Sequence, residues 1–257
     1  MALIEFRNVE KAFGDKVVYR DLNLDVEKGE ALTIIGGSGQ GKSVMIKMLI
    51  GLLTVDSGTI HFDGRRIDDL PEKEMANVRR RVQMLFQGAA LFDSMSVFDN
   101  VAYGLREIGW KDRARIAGKV EESLEMVGLG GRSGEWPSSL SSGMKKRVGL
   151  ARAIAIEPDV LLYDEPTTGL DPNNISRICD LIVYMQEQLS VTSIVVTHDM
   201  PSAFRVSNRI AMIHEGYIAF SGTPAEVIHS DDPTVKDFVE GNAPDDEDTQ
   251  ALLRSAG

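Results

Sequence analysis

The chain has 257 residues, of which 43% are apolar and 26% charged, and its formal net charge is −11. That length fits one large α/β domain or two small ones with ample material for a packed core, and the acidic balance disfavours nucleic acid as the main partner. The longest apolar runs, such as Val160 to Tyr163 and Ser193 to Val196, are strand-sized and fall far short of the roughly 20 residues that span a bilayer.

In chain order, Met1-Ala2-Leu3-Ile4-Glu5-Phe6-Arg7 reads as an alternating edge strand rather than a signal sequence, so the expected compartment is the cytoplasm. Strands are predicted at Leu3 to Val9, Lys16 to Leu24 and Ala31 to Ile35, separated by Gly14-Asp15 and Lys28-Gly29-Glu30. After the glycines at 36 to 41, apolar residues at Val44, Ile46, Met48, Leu49 and Leu52 predict a helix over 42–53 packed on a sheet. Ser57 to Gly64 reads as a short strand closed by a turn, and from Phe98 to about Val127 the pattern becomes helical and rich in charge. Beyond Val160, strands at 160–163, 193–197, 209–214 and 217–221 alternate with helices at 174–189 and 201–206. That alternation implies a mainly parallel sheet with helices on its faces. The single cysteine, Cys179, excludes an internal disulfide, and its helical spacing with Ile175, Ile178 and Ile182 assigns it to the core. The last segment opens with Ala-Pro-Asp-Asp-Glu-Asp and reads as an acidic tail.

Gly36-Gly37-Ser38-Gly39-Gln40-Gly41-Lys42-Ser43 has the phosphate-loop spacing, after an apolar strand and before a helix. Glycines there let consecutive backbone N–H groups turn toward phosphate oxygens, Lys42 can bridge the outer phosphates, and the Ser43 hydroxyl suits Mg²⁺. Asp164 and Glu165 end the buried strand beginning at Val160, at the sheet edge where open parallel sheets hold ligands. Asp164 suits the Mg²⁺ shell, and Glu165 suits polarising an attacking water. Against that, Glu165 also suits capping the turn Pro166-Thr167-Thr168-Gly169. His198 closes the next strand in Val-Thr-His-Asp and is a candidate γ-phosphate contact, the alternative being an exposed strand end. Gln87 ends the run Met84-Leu85-Phe86, where its amide suits Mg²⁺ or water and the alternative is a turn glutamine.

Leu140-Ser141-Ser142-Gly143-Met144-Lys145-Lys146-Arg147 lies a short helix's length upstream of Asp164-Glu165, and Gly169-Leu170-Asp171 follows. Taken in order and spacing, these motifs resemble the nucleotide-binding subunit of ATP-binding cassette (ABC) transporters over residues 3 to 240. The resemblance implies a phosphate-loop core with a mainly parallel sheet, an N-terminal antiparallel β subdomain and an inserted helical subdomain at about 92–155. It also implies one ATPase domain over 1–241, followed by the tail at 242–257. In that family two copies meet head to tail and each ATP lies between the phosphate loop of one and the signature helix of the other. Carried over, Ser141, Ser142 and Gly143 would touch the ATP of a second copy, Asp171 would couple the two sites, and Phe13 would stack on adenine. Phe13 also suits ordinary packing of a turn aromatic on the sheet. Two positions depart from the common signature: Ser142 replaces a glycine and Met144 a glutamine. The serine costs about 1 kcal/mol or more only if its φ must be positive. Lys145, Lys146 and Arg147 are expected to form a solvated or interdomain helix face.

The segment Ala90-Leu91-Phe92-Asp93-Ser94, with the signature methionine, is similar to the ATPases of Mla-type, MCE-associated phospholipid transport systems. That similarity implies an ATPase on the cytoplasmic face of the inner membrane, paired with integral permease subunits and an MCE-domain lipid-binding partner. A small polar solute such as an amino acid is the alternative cargo. A non-transport ATPase acting on DNA or ribosomes is disfavoured by the acidic charge and by the lack of a coiled-coil insertion or second cassette. Leu91 and Phe92 suit either a permease contact or plain core packing.

Overall fold

The computed structural model describes residues 2–241. Met1 and the segment 242–257, read above as an acidic tail, lie outside the described residues. The described strands are β1 (Ala2–Phe13), β2 (Lys16–Glu27), β3 (Ala31–Ile35), β4 (Ser57–Phe62), β5 (Arg65–Arg66), β6 (Val82–Leu85), β7 (Val160–Asp164), β8 (Thr192–Val196), β9 (Arg209–His214) and β10 (Tyr217–Gly222). The helices are α1 (Lys42–Leu49), α2 (Glu72–Arg81), α3 (Val97–Glu107), α4 (Arg113–Met126), α5 (Ser142–Ile154), α6 (Pro172–Leu189), α7 (Met200–Val206), α8 (Pro224–Ile228) and α9 (Pro233–Glu240).

Two sheets form. An antiparallel one has the order β2-β1-β4-β5, and a second has the order β10-β9-β3-β8-β7-β6. In the second, β9, β3, β8, β7 and β6 are parallel, and β10 adds an antiparallel edge. Every residue of β3, β7 and β8 is buried, as befits strands covered on both faces. In β1 and β2 burial alternates instead, because one face of that sheet is open to water.

Three apolar clusters hold these layers. One joins the antiparallel sheet to α1 and one face of the parallel sheet through residues such as Phe6, Leu22, Ile46 and Leu162. A second packs α3, α4, α5 and α6 through Val101, Leu124, Leu150 and Ile182. The third gathers Ile35, Met212, Val227 and Val235 under α7, α8 and α9. Cys179 lies in the second cluster at 1% exposure, with its Sγ 3.4 Å from Ser202 Oγ.

Helix starts follow local chemistry. Ser96, Asp112, Ser141, Asp171, Asp199, Thr223 and Asp232 each accept a backbone N–H in the first turn of the helix they open. The helix expected over 42–53 stops at Leu49, because Gly51 takes φ +68° and turns the chain away. α2 buries only Met75 and Val78, an apolar stripe too thin to register as a helical period.

Candidate functional site

β3 delivers the glycine loop to the edge of the parallel sheet, where two glycines are fixed by close approach. At Gly36, φ is +148° and a Cβ would meet the Ile213 carbonyl oxygen at 2.6 Å. At Gly41, φ is +99° and a Cβ would lie 2.4 Å from Val18 Cγ1. Gly41 caps α1, so the N–H groups of that helix start open toward the loop. Lys42 follows and folds back, its Nζ donating to the carbonyls of Gly36 at 2.8 Å and Gly37 at 3.0 Å. Burial pulls the Lys42 pKa below its usual value, and the nearby Glu165 and Asp164 carboxylates oppose the shift.

β7 ends beside this loop. The Ser43 hydroxyl donates to Asp164 Oδ1 at 2.5 Å, which joins the helix start to the strand end. Glu165 takes φ +48°, a left-handed conformation that favours glycine and that proteins retain chiefly at functional positions. Its N–H donates to the Val196 carbonyl at 2.9 Å. Its Oε1 lies 3.0 Å from His198 Nδ1, and its Oε2 accepts from Thr168 Oγ1 at 3.1 Å and Thr197 Oγ1 at 3.4 Å. The Glu165 side chain is only 13% exposed, against 63% for His198. The turn contact weighed against a chemical role for Glu165 is therefore present through Oε2, while Oε1 faces the histidine.

One cavity of about 640 Å³ collects these groups. Its lining includes Phe13, Gly36, Gly37, Ser38, Gly39, Gly41, Lys42, Ser43, Gln87, Glu165 and His198. Gln40 is absent from the lining; its Oε1 accepts the Glu215 N–H at 3.2 Å and ties the loop to the turn after β9. Phe13 is half exposed, and Lys11 Nζ sits 5.1 Å from its ring centroid. Lys16, Val18, Val44, Thr168 and Phe238 also line the cavity and were not among the candidates from sequence. Phe238 comes from α9, and no motif marks so short a helix. Lys16 and Val18 carried a signal in their nearness to Phe13 along the β1–β2 hairpin.

Ser141, Ser142, Gly143 and Asp171 do not line this cavity. Ser141 caps α5, its Oγ accepting the Met144 N–H at 3.3 Å, and both Ser141 and Ser142 are exposed. Ser142 is the first helical residue and is not among the residues with positive φ. The backbone cost attached to a serine there does not arise. Gly143 is constrained by space instead, since a Cβ would meet Asn174 Oδ1 at 2.9 Å. Asp171 caps α6, and its carboxyl is held below the usual range by the Asn174 side chain and then by backbone N–H groups. The basic triplet requires a correction. Lys146 is buried and donates to backbone carbonyls of the turn after Glu165, and Arg147 donates to the Val127 and Gly128 carbonyls at 3.1 and 3.2 Å. α5 packs both side chains against carbonyls of neighbouring turns, Lys146 buried and Arg147 partly exposed.

Past Gln87, which is exposed, Ala89 and Ala90 take φ +62° and +47°. Arg152 donates to both of their carbonyls, at 3.0 and 2.8 Å. Asn100, fully buried, accepts the Phe92 N–H at 2.8 Å and donates to the Phe92, Met95 and Ser96 carbonyls. Phe92 stays 41% exposed against Tyr103, with ring centroids 5.0 Å apart. Both rings line a second cavity of about 640 Å³ with Phe86, Gln83 and Arg152, between β6, α2 and α3. Leu91, by contrast, packs against the helical cluster.

Comparison with known proteins places this geometry in context. Residues 19–168 match the family model described as ABC transporter. The chain is 41% identical over 241 residues to an intermembrane phospholipid transport system ATP-binding protein, MlaF, of Haemophilus influenzae, covering 94% of this chain and 91% of that protein. It is 39% identical over 238 residues to a probable ribonucleotide transport ATP-binding protein of Mycobacterium leprae, covering 93% of this chain and 69% of that one. Among solved structures, a Clostridium perfringens protein that is part of an ABC transporter complex superposes with a TM-score of 0.82 at 31% identity, over 89% of this chain and 91% of that one. A dimeric ATP-binding cassette in a post-hydrolysis state, bound to ADP and Pi, superposes with a TM-score of 0.79 at 28% identity, over 86% of this chain and 98% of that one.

Proposed function

The chain belongs to the ABC transporter family as one of its ATP-hydrolysing subunits, and on that premise we propose that it energises phospholipid transport between membranes through permease subunits.

The observation that carries the ATPase site is the convergence of Lys42, Ser43, Gln87, Glu165 and His198 on one cavity. ATP enters as substrate, with its adenine against Phe13 and its phosphates along the N–H groups of the glycine loop. Lys42, freed from the Gly36 and Gly37 carbonyls, turns to the outer phosphates. Glu165 accepts hydrogen bonding from the attacking water at a carboxylate oxygen, and His198 holds the γ-phosphate side. Ser43 Oγ, Asp164 and Gln87 are hard oxygen donors around the loop, and they suit Mg²⁺. Bound there, the cation neutralises charge developing on the phosphate oxygens.

Ser141 and Ser142 stand exposed and away from the cavity, which supports completion of each site by the signature helix of a second copy, in a head-to-tail homodimer. The groove beside Phe92 and Tyr103 supports docking of a short permease helix on the cytoplasmic face of the inner membrane. Among the described residues, no helix is long and apolar enough to cross a membrane. The phospholipid reading draws on the Ala90 to Ser94 segment and on the coverage of MlaF. An MCE-domain lipid-binding protein is the further partner it implies.

Purification from membranes tests this reading. Recovery with a permease and an MCE-domain protein, and ATP-dependent movement of labelled phospholipid by the reconstituted complex, are expected. Recovery with an amino-acid permease would overturn the lipid assignment while leaving the ATPase intact.

A further inference from the structure

We propose that Lys146 is a positioning residue for Glu165, tying helix α5 to the turn that carries the carboxylate. The proposal rests on the reading of Glu165 as the group that polarises the attacking water.

The Lys146 side chain runs from α5 into the space beneath the turn at 165–168 and is 5% exposed. Its Nζ donates to the Pro166 carbonyl at 2.7 Å and the Thr168 carbonyl at 2.8 Å, with the Glu165 carbonyl at 3.5 Å. An ammonium has three donors, so the turn's three carbonyls meet its whole capacity. No carboxylate forms an ion pair with Lys146 among the described residues; burial pulls its pKa below the usual value, and the Glu165 charge opposes that shift. A buried cation held by carbonyls alone is expensive to keep for packing. What it accomplishes is convergence: three backbone dipoles drawn to one point.

Glu165 needs such an anchor. Its φ of +48° is strained, and strain of that kind persists only where the surroundings over-determine it. On one side its N–H is fastened to the Val196 carbonyl at 2.9 Å, and on the other its turn is fastened to Lys146. Lys146 lies one helical turn beyond Ser142, so the exposed start of α5 and the Glu165 turn are connected by a single side chain. A contact that displaces the start of α5 thereby moves the carboxylate of the same copy.

Lys146→Met keeps an unbranched side chain one atom shorter and removes the donors, and Lys146→Gln restores two of them. In the purified full chain, Lys146→Met is expected to lower kcat at least about tenfold, the scale of a small misplacement of a reacting group. ATP affinity should stay within about twofold, because Lys146 does not line the cavity. Lys146→Gln should recover most of the rate. A kcat for Lys146→Met within about twofold of the parent would overturn the proposal. Equal losses of rate, ATP affinity and melting temperature in both variants would also overturn it, since they mark general damage. Glu165→Gln measured alongside separates the two readings: if it hydrolyses ATP at the parent rate, the role of Glu165 itself fails and takes the proposal with it. If Glu165→Gln is inactive and Lys146→Met is not, only the role of Lys146 fails.

Discussion

His198 Nδ1 lies 3.0 Å from Glu165 Oε1, so the two residues at the ends of adjacent parallel strands meet through their side chains. A histidine whose Nδ1 faces a carboxylate is held in one ring orientation, with Nε2 left for another partner. The carboxylate is oriented in return, and Thr168 and Thr197 hold its second oxygen.

Replacing Glu165 with Gln should therefore lower steady-state ATP hydrolysis by about 10²- to 10⁴-fold, the range for loss of a general base, while ATP binding persists. His198→Ala should lower kcat as well, by releasing the orientation of Glu165 and the proposed contact to the γ-phosphate. Phosphate release and equilibrium ATP binding, measured on the same preparations, check both outcomes. A parent rate in Glu165→Gln would remove it from the reaction.

Lys42→Ala should weaken ATP binding more than about tenfold, as expected for loss of a charge-assisted contact to phosphate. The folded chain should survive the change, because among the described residues Lys42 bonds only to carbonyls of its own loop. Calorimetric titration with ATP, beside a thermal melt, separates the two effects.

The two signature positions should respond unequally. Gly143→Ala presses a methyl against the Asn174 side chain and should cost about 1–3 kcal/mol for overpacking, less about 1 kcal/mol that alanine gains over glycine in a helix. Ser142→Gly relieves nothing, because Ser142 carries no positive φ, and it should destabilise slightly through helix propensity, by less than about 1 kcal/mol. Urea denaturation of both variants distinguishes them.

Burial raises the Cys179 thiol above its usual value of 9.0, and the Ser202 hydrogen bond opposes the shift only in part. Folded chain then keeps a proton that unfolded chain releases, so this contribution is complete below pH 9 and is lost as pH rises toward the folded value. Cys179→Ala should flatten the alkaline decline in stability. At pH 8 the native thiol should react with a maleimide only as fast as the chain opens, and fast stoichiometric labelling would contradict its burial.

Much of this was legible in the sequence, because glycine spacing, strand ends and cap residues are local signals. Gly36 to Ser43, Asp164-Glu165 and His198 announce themselves by what precedes and follows them. Lys146 does not, since a lysine within a basic triplet reads as a solvated face until the turn it reaches is known. Phe238 was equally hidden: α9 has eight residues, and its approach to the glycine loop depends on how the third apolar cluster folds it back. The groove beside Phe92 arises from a tertiary cause too, since the buried Asn100 amide holds the Phe92 to Ser96 loop and Phe92 stays half exposed.

Ala89 and Ala90 give the segment after Gln87 an unusual freedom to improve. Each left-handed alanine costs roughly 1–2 kcal/mol relative to glycine, and that tension is held in place by the guanidinium of Arg152. Ala90 is exposed, so Ala90→Gly would remove its share of the tension without opening a hole, offset by about 0.4–1 kcal/mol of unfolded-chain entropy. This is one place where the chain is expected to gain thermal stability from the residue that most often loosens a fold. A rise in melting temperature for Ala90→Gly, set against a fall for Arg152→Ala, would show the two residues to be opposing halves of one restraint.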